Sequence, residues 1–265
     1  MPSHLTSYQY TDLVNQVVVI TGAASGIGAA TAKFMARQGC KVVIADINKL
    51  AGQSLCQEIE LSGFQASYIQ VDVTSPVSIQ AAITKIINDH QQINVLINCA
   101  GFIRRANVLN LTEEEWDQSI AINLKSVYLL ARAVIPCMQQ QGHGNIVNVA
   151  SGWGLIGGAN AVGYCAAKGG VVQITRAMAV DHGKDGIRVN CVCPGDTNTP
   201  MLVSEAKQLG LAHDALIQDG CHRPLGRVGE PEEIASTICF LASTASSFMT
   251  GSVLVVDGGG LAGSM

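Results

Sequence analysis

Short apolar runs alternate with longer segments of mixed character along the chain. The runs cover residues 17–20, 41–45, 66–71, 93–97, 145–150, 187–192 and 253–256. Continuous apolar runs of this length are typical of strands that are buried on both faces. Strands that alternate with helices predict a parallel sheet covered by helices on both sides. We therefore expect an α/β, doubly wound fold around a sheet of about seven parallel strands.

Start and stop signals place helices in the segments between these runs. Ser75-Pro76 combines an N-cap residue with a proline at the first helical position. Thr112–Glu115 reads as a capping box, and Pro231 is followed by two glutamates in the first turn. Each signal predicts a helix, and further helices are expected at about 28–38, 48–61, 123–140 and 164–182.

Two segments fall outside this alternation. Residues 1–14 are expected to form a loose N-terminal lead-in, and residues 15–265 a single catalytic domain. Residues 195–229 show no regular period, so we expect an irregular insertion that closes over the substrate.

Composition excludes several classes of function. The net charge is −4 with no basic run, which argues against nucleic acid as a partner. The nine cysteines are scattered and odd in number, which favours reduced thiols and a cytoplasmic location. We expect no signal peptide, because the polar N-terminus has no basic residue before an apolar stretch. No apolar run reaches the roughly 18 residues of a membrane span, and the histidines lack metal-ligand spacing, so no membrane and no metal are expected.

Glycine and polar residues follow most of the predicted strands. They are Gly22–Gly28, Asp46, Asp72, Asn98–Gly101, Ser151 and Pro194-Gly195. The carboxyl ends of parallel strands share one edge of the sheet, and ligands bind there near the point where strand order reverses. These residues are therefore expected to share one rim.

The glycine turn at Thr21–Gly28 joins the first strand to the first helix. Its glycines permit a tight turn and a close approach to a pyrophosphate, which the helix N-terminus attracts. Asp46 lies 18 residues beyond Gly28, where a carboxylate can accept from both adenosine ribose hydroxyls. It could instead cap the helix ahead of Asn48. Asp72 could meet the adenine edge or cap the turn before Thr74.

Tyr164 and Lys168 are spaced to lie on one face of a helix, one turn apart. Ser151 follows a predicted strand, 13 residues before Tyr164, so a loop could return the tyrosine to the same cleft. A hydroxyl, a phenol and an ammonium would then converge. Taken alone, the pair could also be a half-buried aromatic residue and a solvated helix charge.

Taken in order, the motifs resemble the short-chain dehydrogenase/reductase family. The family's motifs match Thr21–Gly28, Asn98-Cys99-Ala100-Gly101, Asn123, Ser151, Tyr164 with Lys168, Pro194-Gly195, Thr199-Pro200-Met201, Arg223–Arg227, Pro231–Glu233 and Val256–Gly259. The resemblance covers about residues 14–260 and implies a single-domain Rossmann-type fold. Two positions depart from the pattern. Cys99 replaces an asparagine, and Asp196 stands where an apolar residue is usual.

The resemblance implies that Asn123, Ser151, Tyr164 and Lys168 are catalytic. Tyr164 would exchange a proton with the substrate oxygen, Ser151 would orient that oxygen, and Lys168 would hold the nicotinamide ribose. An ammonium about 4 Å from the phenol contributes roughly 4 kcal/mol at an effective dielectric near 20, enough to lower the pKa of Tyr164 by up to about three units. Asn123 would hold a water linked to Lys168, or could simply kink its helix.

The resemblance also assigns residues to the cofactor and to the substrate. Cofactor contacts are expected from Gly22, Ser25, Gly26, Ile27, Gly28, Asp46, Ile47, Asp72, Val73, Asn98, Ala100, Gly101, Tyr164, Lys168, Pro194, Gly195, Thr197 and Thr199. The substrate pocket is expected to include Ser151, Trp153, Leu155, Asn160, Tyr164, Asp196 and Met201. Arg104, Arg105 and Asp196 could add polar recognition, or could be surface charges on loops.

Charge at the ribose site favours NAD over NADP. Asp46 would repel a 2′-phosphate, and the glycine turn has no lysine or arginine to receive one. The leading hypothesis is an NAD-dependent enzyme that interconverts a secondary alcohol, or a hydroxylated ring compound, and its ketone. The alternatives are a 3-oxoacyl-[acyl-carrier-protein] reductase and a non-catalytic dinucleotide sensor. The resemblance further implies a homotetramer that pairs helices at about 112–140 and 164–182.

Overall fold

A single parallel sheet of seven strands forms the centre of the molecule in the computed structural model, which describes residues 9–263. The strands are β1 Val17–Thr21, β2 Lys41–Asp46, β3 Gln65–Gln70, β4 Val95–Asn98, β5 Gly144–Val149, β6 Ile187–Pro194 and β7 Val253–Val256. Every predicted strand is present, with ends that differ from the expected ones by at most two residues.

The strand order is β3-β2-β1-β4-β5-β6-β7. The chain moves outward from β1 to β3, then returns to pair β4 with the other side of β1, in register Thr21 with Asn98. Strand order therefore reverses between β1 and β4, and a crevice opens there at the carboxyl ends of the two strands. The predicted doubly wound fold is confirmed.

Helices cover both faces of this sheet. The helices are α1 Gly26–Arg37, α2 Lys49–Leu61, α3 Pro76–His90, α4 Glu113–Ile120, α5 Ser126–Gln141, α6 Val162–His182, α7 Pro200–Gln208, α8 His213–Gly220 and α9 Pro231–Ala242. Buried side chains of α3, α5 and α6 form one core, and those of α1, α2 and α9 form the other. Apolar burial on both faces is the main source of the fold's stability.

The predicted helix starts are present as hydrogen bonds. Ser75 accepts from the Ser78 amide, and Thr112 and Glu115 satisfy each other's backbone as a capping box. One prediction is wrong: residues 195–229 are not irregular throughout, because α7 and α8 lie within them. Pro200, at the first helical position of α7, was the available signal.

Residues 113–141 form one continuous helical stretch of α4, a π-helical turn and α5, and this stretch is long and apolar enough to cross a membrane by length and composition alone. Its buried side chains, including Leu130, Val134 and Met138, belong to the core beneath the sheet. We conclude that this stretch is a structural layer of the fold. On α6, Val171, Val172 and Met178 are likewise buried in this core, so they are not available to pair subunits.

Candidate active site

A cavity of about 440 Å³ lies along the carboxyl ends of the strands. It begins at the glycine turn after β1 and continues past the end of β4 to Ser151, Tyr164 and Lys168. Its far wall comes from α7 and from residues just after β7, including Leu261. The predicted rim is therefore one continuous cleft.

Close backbone packing shapes the glycine turn at one end of this cleft. Gly22 has φ +63°, and a Cβ there would lie 2.6 Å from the Ala100 Cα. A Cβ on Gly28 would lie 2.2 Å from the Gly22 carbonyl oxygen. Both positions therefore require glycine. The Thr21 hydroxyl accepts from the Cys99 and Ala100 amides, each at 3.3 Å, which ties the turn to the end of β4.

Asp46 closes the turn from the side of β2. Its Oδ2 accepts from the Ala24 amide at 2.9 Å, and its Oδ1 accepts from the Asn48 amide at 2.8 Å. The helix cap itself is Asn48, which accepts from the Ala51 amide. Each oxygen of the Asp46 carboxylate has room for a further donor, and the residue lines the cleft.

Asp72 caps the turn after β3. Its Oδ1 accepts from both the amide and the hydroxyl of Thr74, at 2.9 and 2.7 Å. The capping alternative is thus present in the structure. Asp72 also lines the cleft.

The expected cofactor residues line this cleft with one exception. Those on the lining are Gly22, Ser25, Gly26, Ile27, Gly28, Asp46, Ile47, Asp72, Val73, Ala100, Gly101, Tyr164, Lys168, Pro194, Gly195, Thr197 and Thr199. Asn98 is not on the lining. It is buried between strands and donates to Asn148 Oδ1 at 2.8 Å, while Asn148 donates to the Thr175 hydroxyl.

Ser151 and Tyr164 meet at the centre of the cleft. Ser151 caps a short 3₁₀ turn, Gly152–Gly154, by accepting from the Trp153 amide. Both side chains line the cleft, and the Ser151 hydroxyl offsets part of the rise that burial causes in the pKa of Tyr164. Tyr164 lies near the start of α6, and Ala161, the residue just before this helix, forms an isolated parallel bridge with Ala106. Tyr164 is 7% exposed, so the alternative of a half-buried aromatic residue does not apply.

Lys168 lies one turn further along α6 and is 4% exposed, so it is not a solvated helix charge. Its Nζ donates to the Val149 carbonyl at 2.8 Å and lies 5.6 Å from the centre of the Tyr164 ring. The expectation that Lys168 lowers the pKa of Tyr164 is not met by the chain alone. Burial raises the pKa of Tyr164, and burial also lowers the pKa of Lys168, because each charged form is poorly solvated.

Asn123 is held in a π-helical turn, Ala121–Lys125, that interrupts the helical stretch before α5. Its amide donates to the carbonyls of Phe102 and Ser119, each at 3.0 Å, and its Oδ1 accepts from the Phe102 amide at 3.1 Å. A Cβ on Gly101 would lie 2.9 Å from Asn123 Oδ1 and 3.5 Å from Lys168 Nζ. The distortion therefore brings Asn123 beside the lysine, and such π turns are frequent at functional sites.

The opposite half of the cleft has an apolar floor. Ile103, Trp153 and Met201 pack around Tyr164, and the Trp153 ring meets the phenol ring edge-on at 6.3 Å between centroids. Two expected pocket residues are not on the lining, which corrects their assignment. Leu155 ends the 3₁₀ turn and is 40% exposed, and Asn160 is exposed with a left-handed φ of 50°.

Two ion pairs border this half of the cleft. Arg105 pairs with Glu205 at 2.8 Å, and the two side chains are only 10% and 14% exposed. Asp196 pairs with Arg223 at 2.5 Å, with 28% and 34% exposure. Arg104 pairs with Glu115 and does not line the cleft. The surface-charge alternative thus applies to Arg104 and not to Arg105.

Sequence reasoning missed several residues that line the substrate half, among them an acidic, a basic and an apolar residue from distant parts of the chain. Glu205 lies on α7, Arg223 lies in the loop before α9, and Leu261 lies near the C-terminus. The apolar positions Leu202 and Ala206 could have shown that α7 is amphipathic and lies against the core. No local pattern distinguishes Glu205 from a solvated helix charge, because its burial depends on Arg105 about 100 residues earlier.

The half of the cleft at the glycine turn fits a nicotinamide dinucleotide. The absence of side chains at Gly22 and Gly28 lets the backbone of the turn pack closely, and this backbone lines the cleft at the positive end of α1. Asp46 offers free acceptor positions at the end of β2. Lys168 offers a buried ammonium with one hydrogen bond to the chain, beside a serine and a phenol.

Comparison with known proteins agrees with this fit. Residues 22–260 match the family model described as enoyl-(acyl carrier protein) reductase. The chain is 40% identical over 251 residues to the 3-oxoacyl-[acyl-carrier-protein] reductase FabG of Thermotoga maritima, covering 93% of this chain and 98% of that protein. It is 39% identical over 245 residues to cis-4-hydroxycyclohexanecarboxylate dehydrogenase of Sinomonas cyclohexanicum, covering 92% and 96%.

A solved structure extends the likeness to three dimensions. The aldohexose dehydrogenase of Thermoplasma acidophilum superimposes with a TM-score of 0.88 at 32% identity, covering 96% of this chain and 97% of that one. Fold, motif order and sequence identity over nearly the whole length point the same way. The chain is therefore an oxidoreductase of the short-chain dehydrogenase/reductase family, whose members bind a nicotinamide dinucleotide.

Proposed function

We propose that this enzyme interconverts a secondary alcohol, or a hydroxylated ring compound, and its ketone with NAD(H), and that Tyr164 is its general acid and base. One observation carries the proposal. The buried Tyr164 and Lys168, one helical turn apart on α6, line the same cleft as Ser151 and the glycine turn.

The cofactor would lie along the rim from Asp46 to Lys168. The glycine turn and the N-terminus of α1 would hold the pyrophosphate, Asp46 the adenosine ribose, and Lys168 the nicotinamide ribose. When bound, the nicotinamide supplies hydride transfer to or from the carbon that bears the substrate oxygen. The chain's own part is then to orient that oxygen and to move its proton, which we assign to Tyr164, Ser151 and Lys168.

Proton transfer is assigned to the Tyr164 hydroxyl. Because burial raises the pKa of Tyr164, the phenol keeps its proton and is ready to donate it when a ketone is reduced. Oxidation requires the phenolate, which gains stability from positive charge in the cleft. Ser151 would donate to the substrate oxygen and fix its direction. Asn123 would hold a water beside Lys168, so that the proton can reach solvent.

Cofactor preference is assigned to Asp46. A 2′-phosphate on the adenosine ribose would come close to a carboxylate that the Ala24 and Asn48 amides hold in place. No lysine or arginine lines the cleft near the glycine turn among the described residues. NAD should therefore bind better than NADP.

The substrate half supports a small or mid-sized neutral alcohol. Its floor of Ile103, Trp153 and Met201 is apolar, and its charged groups are paired with one another. The relative from Sinomonas cyclohexanicum is named for a hydroxylated six-membered ring. A second candidate is reduction of 3-oxoacyl-[acyl-carrier-protein], because the relative from Thermotoga maritima is named for that reaction.

The test is a screen of secondary and cyclic alcohols with NAD, read as absorbance of the reduced cofactor. We expect turnover with at least one alcohol, and loss of 10²–10⁴-fold in Tyr164→Phe, the range typical of a general acid or base. A parallel assay supplies NADPH and a 3-oxoacyl thioester. Turnover of the thioester without turnover of any alcohol would move the second candidate to first place.

The wider setting of the enzyme is also part of the proposal. We expect a cytoplasmic homotetramer that acts on a small molecule. The exposed aromatic residues Trp116 and Tyr128, on the helical stretch 113–141, are 38% and 46% exposed and would contribute to pairing of subunits there.

A further inference from the structure

We infer that Glu205 accepts a hydrogen bond from a second hydroxyl group of the substrate, so that the enzyme favours diols and polyols over simple alcohols. This inference rests on the proposed function, since it concerns the substrate of the same cleft. It assigns a specificity-determining role to a residue on α7, outside the Asn123, Ser151, Tyr164 and Lys168 set.

Only one of the two oxygens of the Glu205 carboxylate accepts a hydrogen bond from a described residue. Its Oε2 accepts from Arg105 Nη1 at 2.8 Å, and no described residue donates to Oε1. Glu205 lines the cleft, while Arg105 lies behind it. An acceptor on the wall of a mostly apolar pocket is costly unless a ligand donates to it. The cleft therefore presents one anionic oxygen to whatever binds there.

Arg105 fixes this carboxylate in position. Its Nη2 donates to the Ala159 carbonyl at 3.0 Å, and the guanidinium lies 4.8 Å from the centre of the Trp153 ring. Trp153 in turn meets the Tyr164 ring edge-on. Contacts thus run without a gap from the acceptor on Glu205 to the reacting phenol. Packing fixes the distance between the Glu205 carboxylate and the Tyr164 phenol. The site should therefore favour substrates whose second hydroxyl lies at a matching distance from the reacting one.

The pair is poorly explained as a purely structural element. Arg105 Nε is buried and has no hydrogen-bond partner among the described residues. Buried ion pairs with incomplete hydrogen bonding are often no more stabilising than apolar residues of similar size. The charge of Glu205 also contributes to raising the pKa of Tyr164, and both residues line the same cleft.

The partner group is best a neutral hydroxyl. Arg105 already balances the charge of Glu205, so a cationic substrate would bring an extra positive charge, and an anionic one would be repelled. Asp196 is a weaker candidate for binding a substrate hydroxyl. Its ion pair with Arg223 is two to three times more exposed than the pair of Arg105 and Glu205, so water competes for its oxygens. An unbranched acyl chain would leave Glu205 without a donor, so the inference also disfavours that substrate class.

The test compares cyclohexanol with the cis and trans cyclohexane-1,2-, 1,3- and 1,4-diols at saturating NAD. For the wild type, at least one diol should exceed cyclohexanol in kcat/KM by about tenfold or more, the range expected for a hydrogen bond to a charged group. Arg105→Met/Glu205→Leu, which removes both charges together, should abolish this preference, mainly through KM of the diol. Glu205→Gln, which keeps an acceptor, should reduce it by less.

Glu115→Gln is the matched control, because Glu115 pairs with the neighbouring Arg104 outside the cleft. It should keep the wild-type preference. Oxidation of alcohols without any preference for a diol would overturn the inference and leave the proposed function standing, as would a preference that persists in the double variant. If the wild type oxidises no alcohol and no diol, the proposed function and the inference both fail.

Discussion

Replacing Lys168 with methionine should stabilise the protein while it abolishes catalysis. Lys168 is 4% exposed, and its ammonium makes one hydrogen bond, to the Val149 carbonyl at 2.8 Å. Taking an ammonium out of water costs several kcal/mol even after relaxation. One hydrogen bond to a charged group returns about 1.5–3 kcal/mol. Methionine has a similar length and is apolar, so it can fill the same space.

The difference leaves a gain in the free energy of unfolding of about 1–2 kcal/mol for Lys168→Met. For a chain of this size that gain raises Tm by roughly 2–8 °C. Thermal unfolding without cofactor, followed by circular dichroism, measures it. Lys85→Met is the matched control, because the Lys85 side chain is 64% exposed and its pair with Asp89 is on the surface. That variant should change stability by less than about 0.5 kcal/mol.

The effect of pH gives a second readout. Burial lowers the pKa of Lys168 below its usual 10.5, so the charged amine lowers the free energy of unfolding wherever it is protonated in the folded state. The cost is complete below the lowered pKa and disappears above 10.5. The advantage of Lys168→Met should therefore be largest below the lowered pKa of Lys168 and should shrink as the pH rises toward 10.5. If Lys168→Met is less stable than the wild type near pH 7 while Lys85→Met keeps the wild-type stability, the buried ammonium of Lys168 does not destabilise the fold.

Three further predictions concern the proton, the glycine turn and the assembly. Because burial raises the pKa of Tyr164, kcat/KM for alcohol oxidation should rise about tenfold per pH unit between pH 6 and 8, and a flat profile would contradict the tyrosine as base. Gly28→Ala places a Cβ 2.2 Å from the Gly22 carbonyl oxygen, so calorimetry should detect no NAD binding at concentrations that saturate the wild type. Gly183→Ala, where nothing lies within 4 Å, should bind normally, and normal binding by Gly28→Ala would count against the glycine-turn site. Light scattering at micromolar concentration should give a tetramer mass, and a monomer mass would exclude the proposed assembly.

The framework of the fold could be predicted from sequence because its signals are local. Each strand is a continuous apolar run, and the starts of α3, α4 and α9 carry their own caps or prolines. The residues on the rim followed from the parallel sheet alone, because parallel strands end at one edge. The burial of the Asn98 side chain was not predictable, because its position at the end of β4 does not show that it turns toward Asn148 inside the sheet.

The substrate half and the proton chemistry depend on long-range contacts, which no local pattern encodes. Glu205 is buried only because Arg105 meets it from a distant loop, and Leu155 leaves the cleft because the 3₁₀ turn after Ser151 directs it outward. The pKa argument for Tyr164 failed for a related reason. Charge spacing along a helix is visible in sequence, but the depth of burial that outweighs it is not.

NAD-dependent oxidation with Asp46 at the adenosine ribose is tested most directly by a ratio of kcat/KM values. The ratio compares NAD with NADP in the oxidation of the same alcohol. A carboxylate about 5 Å from one phosphate charge costs roughly 3 kcal/mol at an effective dielectric near 20, or about a hundredfold. Asp46→Ala removes both the repulsion and the ribose contact. We therefore expect kcat/KM to fall for NAD and to rise for NADP, so that the ratio decreases. Asp89→Ala, a surface change on α3, should leave it unaltered. We expect the wild type to favour NAD by one to two orders of magnitude in kcat/KM and Asp46→Ala to lose most of that preference. Equal use of NADP by the wild type would contradict this expectation and favour the reduction of 3-oxoacyl substrates instead.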